Sequence, residues 1–149
     1  MTGVQTCALP ICVDIEKNIR EAMGMSPGEF YEAVRTGGKW DYKTVHKDLS
    51  YARFGNFHYG IVGRAVGFSE LTLLNEGGRV NTADDGAGKP GNPFFYYSDG
   101  IPPYGDQWQD HWDIKQGFEY WNNRTTVDEN GFEYGPDGDL ILRVNPFKF

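Results

Sequence analysis

The stretch Arg53 to Phe68, RFGNFHYGIVGRAVGF, constrains the fold more than any other part of this chain. Gly60, Gly63 and Gly67 recur at three- and four-residue steps, so on a helix they leave one stripe of bare backbone that another element can approach closely. Each glycine costs about 1 kcal/mol of helix propensity relative to alanine. Only tertiary packing offsets that cost, so if the stretch is a helix it is one that another element approaches closely. Aromatic residues are 15% of the 149, so rings rather than aliphatic side chains fill much of the core. A chain of this length makes one domain. It buries roughly 68–70% of the surface its unfolded form exposes, enough for a core without staples.

Around that stretch the chain reads as helices. Ile15, Ile19, Ala22 and Met23 give an amphipathic helix from Val13 to Met23. Ser26-Pro27-Gly28-Glu29 supplies an N-cap serine, a proline at the first helical position and a glutamate three residues after the cap. That predicts a second helix to about Thr36, turning Phe30, Ala33 and Val34 inward and ending at Gly37-Gly38. Trp40 to Val45 predicts a short strand. Ser69 caps a helix from Glu70 to about Arg79 with Leu71, Leu74 and Val80 packed. Asn81 to Gly105 supplies glycine, proline and aspartate at nearly every turn, and predicts a long irregular loop of the kind that carries function. Phe94 to Tyr97 are expected to pin it over the body as a lid or pocket wall. Asp106 and Gln109 form a cap-and-reach pair for a helix from Gln107 to about Asn122, with Trp108, Trp112, Phe118 and Trp121 toward the core. Gly131 to Val144 reads as a hairpin turned at Gly135-Pro136-Asp137-Gly138. The fold class is therefore α+β and mostly helical, a single domain over residues 13–149 with a small C-terminal β-hairpin and a long Gly/Pro/aromatic loop.

The chemistry is narrowed by what the chain lacks. No stretch matches a phosphate-cradling loop, a dinucleotide fingerprint or a serine nucleophile elbow. His46, His58 and His111 have no paired ligand spacing, so neither metal nor cofactor is expected. No membrane span is expected either. A net charge of −7 makes indiscriminate binding to a phosphate backbone a poor fit, unless Arg53, Arg64, Arg79 and Lys115 converge on one face. Acid and base chemistry remains. His58, between Phe57 and Tyr59, is either a packing histidine or an imidazole held partly desolvated and neutral, with Asn56 and Gly60 on nearby faces. His111, beside Asp110, carries the same ambiguity. Asp106 reads most simply as an N-cap and Lys115 as a solvated cation. Glu70 and Glu76 read as ordinary helix glutamates.

Two resemblances add to this reading. Met1 to Ile11, MTGVQTCALPI, looks like the in-frame translation of a sequencing adapter and reads as neither helix nor strand. Residues 1–12 are accordingly expected to be an artefact without order, no disulfide is inferred from Cys7 and Cys12, and the native frame is expected to continue upstream. Phe54-Gly55-Asn56-Phe57-His58-Tyr59-Gly60, then Gly63, Gly67-Phe68-Ser69-Glu70 and Leu73-Leu74, then Pro102-Pro103-Tyr104-Gly105-Asp106, Asp110 and Ile114-Lys115-Gln116-Gly117 together resemble the bacterial toxin 44 family over about residues 40–121.

That resemblance implies a toxin module at the C-terminus of a polymorphic toxin, secreted or delivered into target cells behind an upstream carrier and neutralised by a cognate immunity protein. It also implies a ribonuclease. A metal-independent ribonuclease needs a base, an acid and a cation for the phosphorane charge. On that implication the catalytic candidates are His58, Arg64, Asp106 and Lys115, and the substrate-binding candidates are Asn56, Tyr59, Tyr104 and Asp110, around one pocket that takes RNA. The alternative is a hydrolase of cell-wall glycan with Glu70 or Asp106 as proton donor. A non-catalytic wrapping domain is the third class.

Overall fold

The computed structural model of the chain describes residues 5–6, 13–43, 49–84, 102–104 and 106–142. In chain order its elements are β1 (Gln5–Thr6), β2 (Val13–Asp14), α1 (Ile15–Met23), α2 (Pro27–Val34), α3 (Leu49–Val66), α4 (Glu70–Asp84), α5 (Trp108–Asn122), β3 (Thr126–Val127) and β4 (Glu133–Tyr134). Helices dominate, and the strands form two small antiparallel pairs, β1 with β2 and β3 with β4. The architecture is the mostly helical α+β class that the sequence predicts.

The glycine-rich stretch lies within α3, and α3 is the centre of the fold. A Cβ at Gly60 would overlap the Ile114 carbonyl of α5, and one at Gly117 of α5 would overlap the Phe57 carbonyl of α3. Facing glycines thus let two helix backbones touch. The bare stripe is shared out rather than given to one neighbour. Gly63 faces Leu73 of α4 instead, and Gly67 ends α3 with φ 115°, a left-handed conformation that side chains resist. Ile61, Val62 and Ala65 of α3 meet Ile19 and Ala22 of α1, Phe30 of α2, Leu73 of α4, and Ile114, Phe118 and Trp121 of α5 in one core.

Caps explain the helix starts. Asp14 accepts the Lys17 N–H at 3.0 Å to open α1. At α2 the expected box is complete: Ser26 Oγ accepts from Glu29 N at 3.2 Å, and Glu29 Oε2 accepts from Ser26 N at 2.8 Å. Ser69 Oγ accepts from Thr72 N at 3.1 Å ahead of α4.

Several expectations are corrected. Trp40 to Val45 is not a strand over its described part: Trp40 lies in a turn and donates its N–H to the Ala33 carbonyl at 2.9 Å, and Tyr42–Lys43 are helical. The backbone there closes the open end of α2 instead of seeking a strand partner. Residues 44–45 lie outside the described residues, as do His46 and Phe94 to Tyr97. Helix α4 continues past Arg79 to Asp84, and its buried apolar side chains among those described are Leu73 and Leu74, while Leu71 is exposed and the Val80 side chain lies outside the described residues. Leu73 wins because the missing side chain at Gly63 leaves it a seat. Gln5–Thr6, inside the segment read as neither helix nor strand, pair with Val13–Asp14 in the register Gln5↔Asp14 and Thr6↔Val13. The anticipated hairpin from Gly131 survives as a turn at Gly135 to Gly138 and a single bridge from Tyr134 to Leu140. The better-paired partner of β4 is β3, which the sequence reading did not assign.

Candidate functional site

The residues singled out from the sequence fall in three places. His58 is in the core, 1% exposed, on the side of α3 that meets α1. Its ring is walled by Trp40, Tyr42 and Phe54 at centroid distances of 5.3, 5.1 and 5.8 Å. Asn18 Nδ2 lies 2.9 Å from His58 Nε2. An amide nitrogen only donates, so Nε2 accepts and the imidazole carries its proton on Nδ1. Burial pushes the His58 pKa down to about 3, so the ring is neutral at any physiological pH. The walls around His58 are core rings, and no substrate atom reaches it without opening the fold.

Arg64 is buried in a second place. One guanidinium nitrogen lies 3.0 Å from both carboxylate oxygens of Glu133, another donates to the Phe68 carbonyl at 2.5 Å, and Trp121 Nε1 donates to Glu133 Oε1 at 2.7 Å. This cluster ties β4 to α3 and α5. A buried arginine engaged with a carboxylate offers little to an incoming phosphate. Arg53 in turn faces Asp113 at 3.3 Å, and Gln109 donates to the same carboxylate at 3.0 Å. The cations therefore do not converge: Arg53 and Arg64 are each committed to a carboxylate of the fold, and the Arg79 side chain lies outside the described residues.

The third place holds Tyr104, Asp106, Asp110 and Lys115. Tyr104 and Asp106 approach α4 closely because α4 carries Gly77 and Gly78. A Cβ at Gly78 would overlap the Tyr104 carbonyl, and one at Gly77 would press on Ile114 Cδ1 at 3.1 Å and stand 3.6 Å from Asp106 Oδ2. Tyr104 sits at φ 60°, an uncommon conformation for a bulky residue, and such backbone is found most often at functional sites. Asp106 is buried, and its Oδ1 accepts the Gln107 N–H at 2.9 Å. The reciprocal cap anticipated between Asp106 and Gln109 is not formed, because Gln109 turns to Asp113 and no side chain caps α5 at Gln107.

On α5 the residues Trp108, His111, Trp112 and Lys115 follow at steps of three, one and three, which is one helix face. His111 is 3% exposed, yet Trp108 and Trp112 are 56% and 51% exposed. Both were expected in the core. The geometry of the helix explains the correction: nine residues separate Trp112 from Trp121, which at about 3.6 residues per turn is two and a half turns, so they point to opposite sides. Trp121, with Ile114, Gly117 and Phe118, takes the side toward α3. His111 meets Trp108 and Trp112 edge-on at 5.6 and 6.0 Å and Tyr104 at 6.0 Å. Its Nδ1 is buried and has no hydrogen-bond partner among the described residues. Burial, and then the charge of Lys115, lower its pKa below the ordinary value, so His111 is neutral at pH 7. Lys115 Nζ stands 5.0 Å over the Trp112 ring. Two of the groups that cover His111 are thus surface tryptophans, in contrast to the core rings around His58.

The remaining candidates line the approach or serve the fold. Tyr59 donates to the Leu73 carbonyl at 2.9 Å and so ties α3 to α4. Asn56 is half-buried, and its Nδ2 has no hydrogen-bond partner among the described residues. Asp110 is half-buried in the first turn of α5, whereas Glu70 is exposed and accepts from Asn122 at 3.1 Å. Among the described residues no group of three or more His, Cys, Asp or Glu is placed to hold a metal ion. The sequence reading missed Gly77-Gly78 and the exposed tryptophans, and the step pattern of Trp108, His111, Trp112 and Lys115 is the signal that marks the latter.

The chain matches the family model described as bacterial toxin 44 over residues 14–123. The chain belongs to that family and is a bacterial toxin domain. The match includes α1 and α2 and so starts well before the stretch that carried the resemblance. No curated protein and no solved structure matches the chain. Among the described residues no helix is long and apolar enough to cross a membrane.

Proposed function

We propose that this toxin domain is a metal-independent ribonuclease whose working histidine is His111. The observation that carries the reading is the neutral, buried imidazole of His111, with an unpartnered Nδ1, one helical turn from the cation of Lys115. A neutral imidazole carries one nitrogen lone pair, and it acts as a general base here once the half-exposed Trp108 or Trp112 turns aside and uncovers the ring. In this reading His111 takes the proton of a ribose 2′-hydroxyl. The 2′-oxygen attacks phosphorus, the 5′-oxygen leaves and is protonated from solvent, and a 2′,3′-cyclic phosphate results. Lys115 faces the charge that builds on the phosphoryl oxygens. Tyr104 and Asp106 position the His111 end of α5, and Asp110 and Asn56 bind the sugar edge. His58 and Arg64, first read as catalytic, act as parts of the core.

The domain's target then lies inside the cell that receives it, and delivery by an upstream carrier and restraint by a cognate immunity protein fit a toxin that would otherwise cut its producer's RNA. The glycan hydrolase reading keeps one observation of its own: a buried Asp106 and a half-buried Asp110 stand beside exposed tryptophans, a setting that also suits sugars. The test is incubation of the purified chain with single-stranded RNA and, separately, with cell-wall glycan. Cyclic-phosphate ends that vanish in His111→Ala and persist in a folded His58→Asn variant support the ribonuclease. Glycan release without RNA cleavage would replace it.

A further inference from the structure

Trp108 and Trp112 are large apolar rings held in water on the first two turns of α5, and the core does not need them, because Trp121 fills the opposite side of the helix. Exposing rings of this size forfeits the burial that normally places them inside. Both flank His111 edge-on, so what binds on them lies beside the imidazole. Lys115 stands over one face of the Trp112 ring at 5.0 Å, which sets a positive charge against this aromatic surface and leaves the other face of Trp112 for a stacked ring, in a chain of net charge −7. The imidazole that these rings flank keeps a buried Nδ1 without a hydrogen-bond partner among the described residues.

We propose that Trp108 and Trp112 form the stacking platform of the substrate site, gripping an unpaired nucleobase of single-stranded RNA while Lys115 holds the neighbouring phosphate. The proposal rests on the ribonuclease reading and adds to it how an acidic chain retains RNA. A nucleobase suits the platform because every base presents a π-face on which a ring can stack. A phosphate suits Lys115 because an ammonium group pairs with the negative charge that every nucleotide of an RNA strand carries. Double-stranded RNA keeps its bases stacked on each other, so the platform selects single strands.

The experiment uses the full chain with His111→Ala to prevent cleavage and a fluorescently labelled single-stranded oligonucleotide, read by anisotropy. Trp112→Ala and Trp108→Ala, made in that background, are expected to weaken binding about 10-fold or more each, and Trp112→Phe to restore most of it. In the cleaving protein the same alanine changes raise KM for single-stranded RNA while circular dichroism shows the variants folded. RNA cleavage with KM unchanged in both alanine variants would overturn the platform while the ribonuclease reading stands. No cleavage of RNA by the unaltered chain would remove that reading, and the platform with it. Binding of a cell-wall glycan fragment in place of the oligonucleotide, abolished by the same changes, would assign the tryptophans to sugars and contradict the proposal.

Discussion

Asn18 and His58 are joined across the core, Nδ2 to Nε2 at 2.9 Å, so a buried titrating ring links α1 to α3. Folding holds that imidazole neutral, with its pKa pushed down to about 3 from an ordinary 6.5. The unfolded chain therefore binds a proton that the folded chain refuses between those two values, and stability rises with pH across that window. Above pH 6.5 His58 contributes no pH dependence. Below it stability is progressively lost, by up to about 5 kcal/mol as pH approaches 3. Urea midpoints measured from pH 7 to pH 4 should fall for the unaltered chain and fall less steeply for His58→Asn. Parallel slopes would show that another group carries the acid sensitivity.

The contact between α3 and α5 makes a prediction of opposite sign at two glycines of one helix. Gly60→Ala sets a methyl group against the Ile114 carbonyl, backbone that cannot yield. The change should cost about 1–3 kcal/mol from overpacking, against a propensity gain of about 1 kcal/mol. Gly55→Ala meets only ordinary contacts at 3.7 Å, so there the gain stands nearly alone. Chemical denaturation of the two variants should move the midpoint down for Gly60→Ala and slightly up for Gly55→Ala.

Glu133 anchors the C-terminal strands to the helices through Arg64 and Trp121. Glu133→Ala leaves a buried guanidinium without its carboxylate and should cost about 3–5 kcal/mol. Replacing both partners, with Arg64→Met and Glu133→Leu together, should cost much less, because no unpaired charge is left behind. Comparing the two denaturation curves checks this directly. If the role of Arg64 is catalytic, the double replacement abolishes activity in a folded protein; the account expects cleavage to persist.

The charge of Lys115 helps hold the His111 pKa below the ordinary value, after burial. A base must be unprotonated, so the acid limb of kcat/KM for RNA cleavage should lie below pH 6.5. Lys115→Ala removes one lowering influence, and the limb should move to higher pH while kcat falls. A limb that stays in place in Lys115→Ala would separate the titrating group from this helix face.

Much of this fold could be read from residue order alone, and the parts that could not share a physical cause. Caps are local chemistry, so Ser26 to Glu29 announces α2 and its box without help from the rest of the chain. The glycine spacing in α3 announced a close neighbour, and Gly60 has one in α5. Aromatic residues on several faces of α5 defeat periodicity, because Trp108 and Trp112 look as apolar in sequence as Trp121 does. The histidines differ only in what covers them. His58 and His111 each sit among aromatic neighbours in the sequence, and only packing reveals core walls around one and surface tryptophans around the other. The Leu71 and Leu73 exchange has the same origin, since the hollow at Gly63 that seats Leu73 is made by a different helix.

The most direct test of the central claim is the cleavage rate of a single-stranded RNA oligonucleotide by the unaltered chain, by His111→Ala and by His58→Asn at pH 7, each shown to be folded by circular dichroism. The account predicts a loss of about 10²–10⁴-fold for His111→Ala, the range for a removed general base, and retained cleavage for His58→Asn. Retained cleavage in His111→Ala together with its loss in a folded His58→Asn would contradict it.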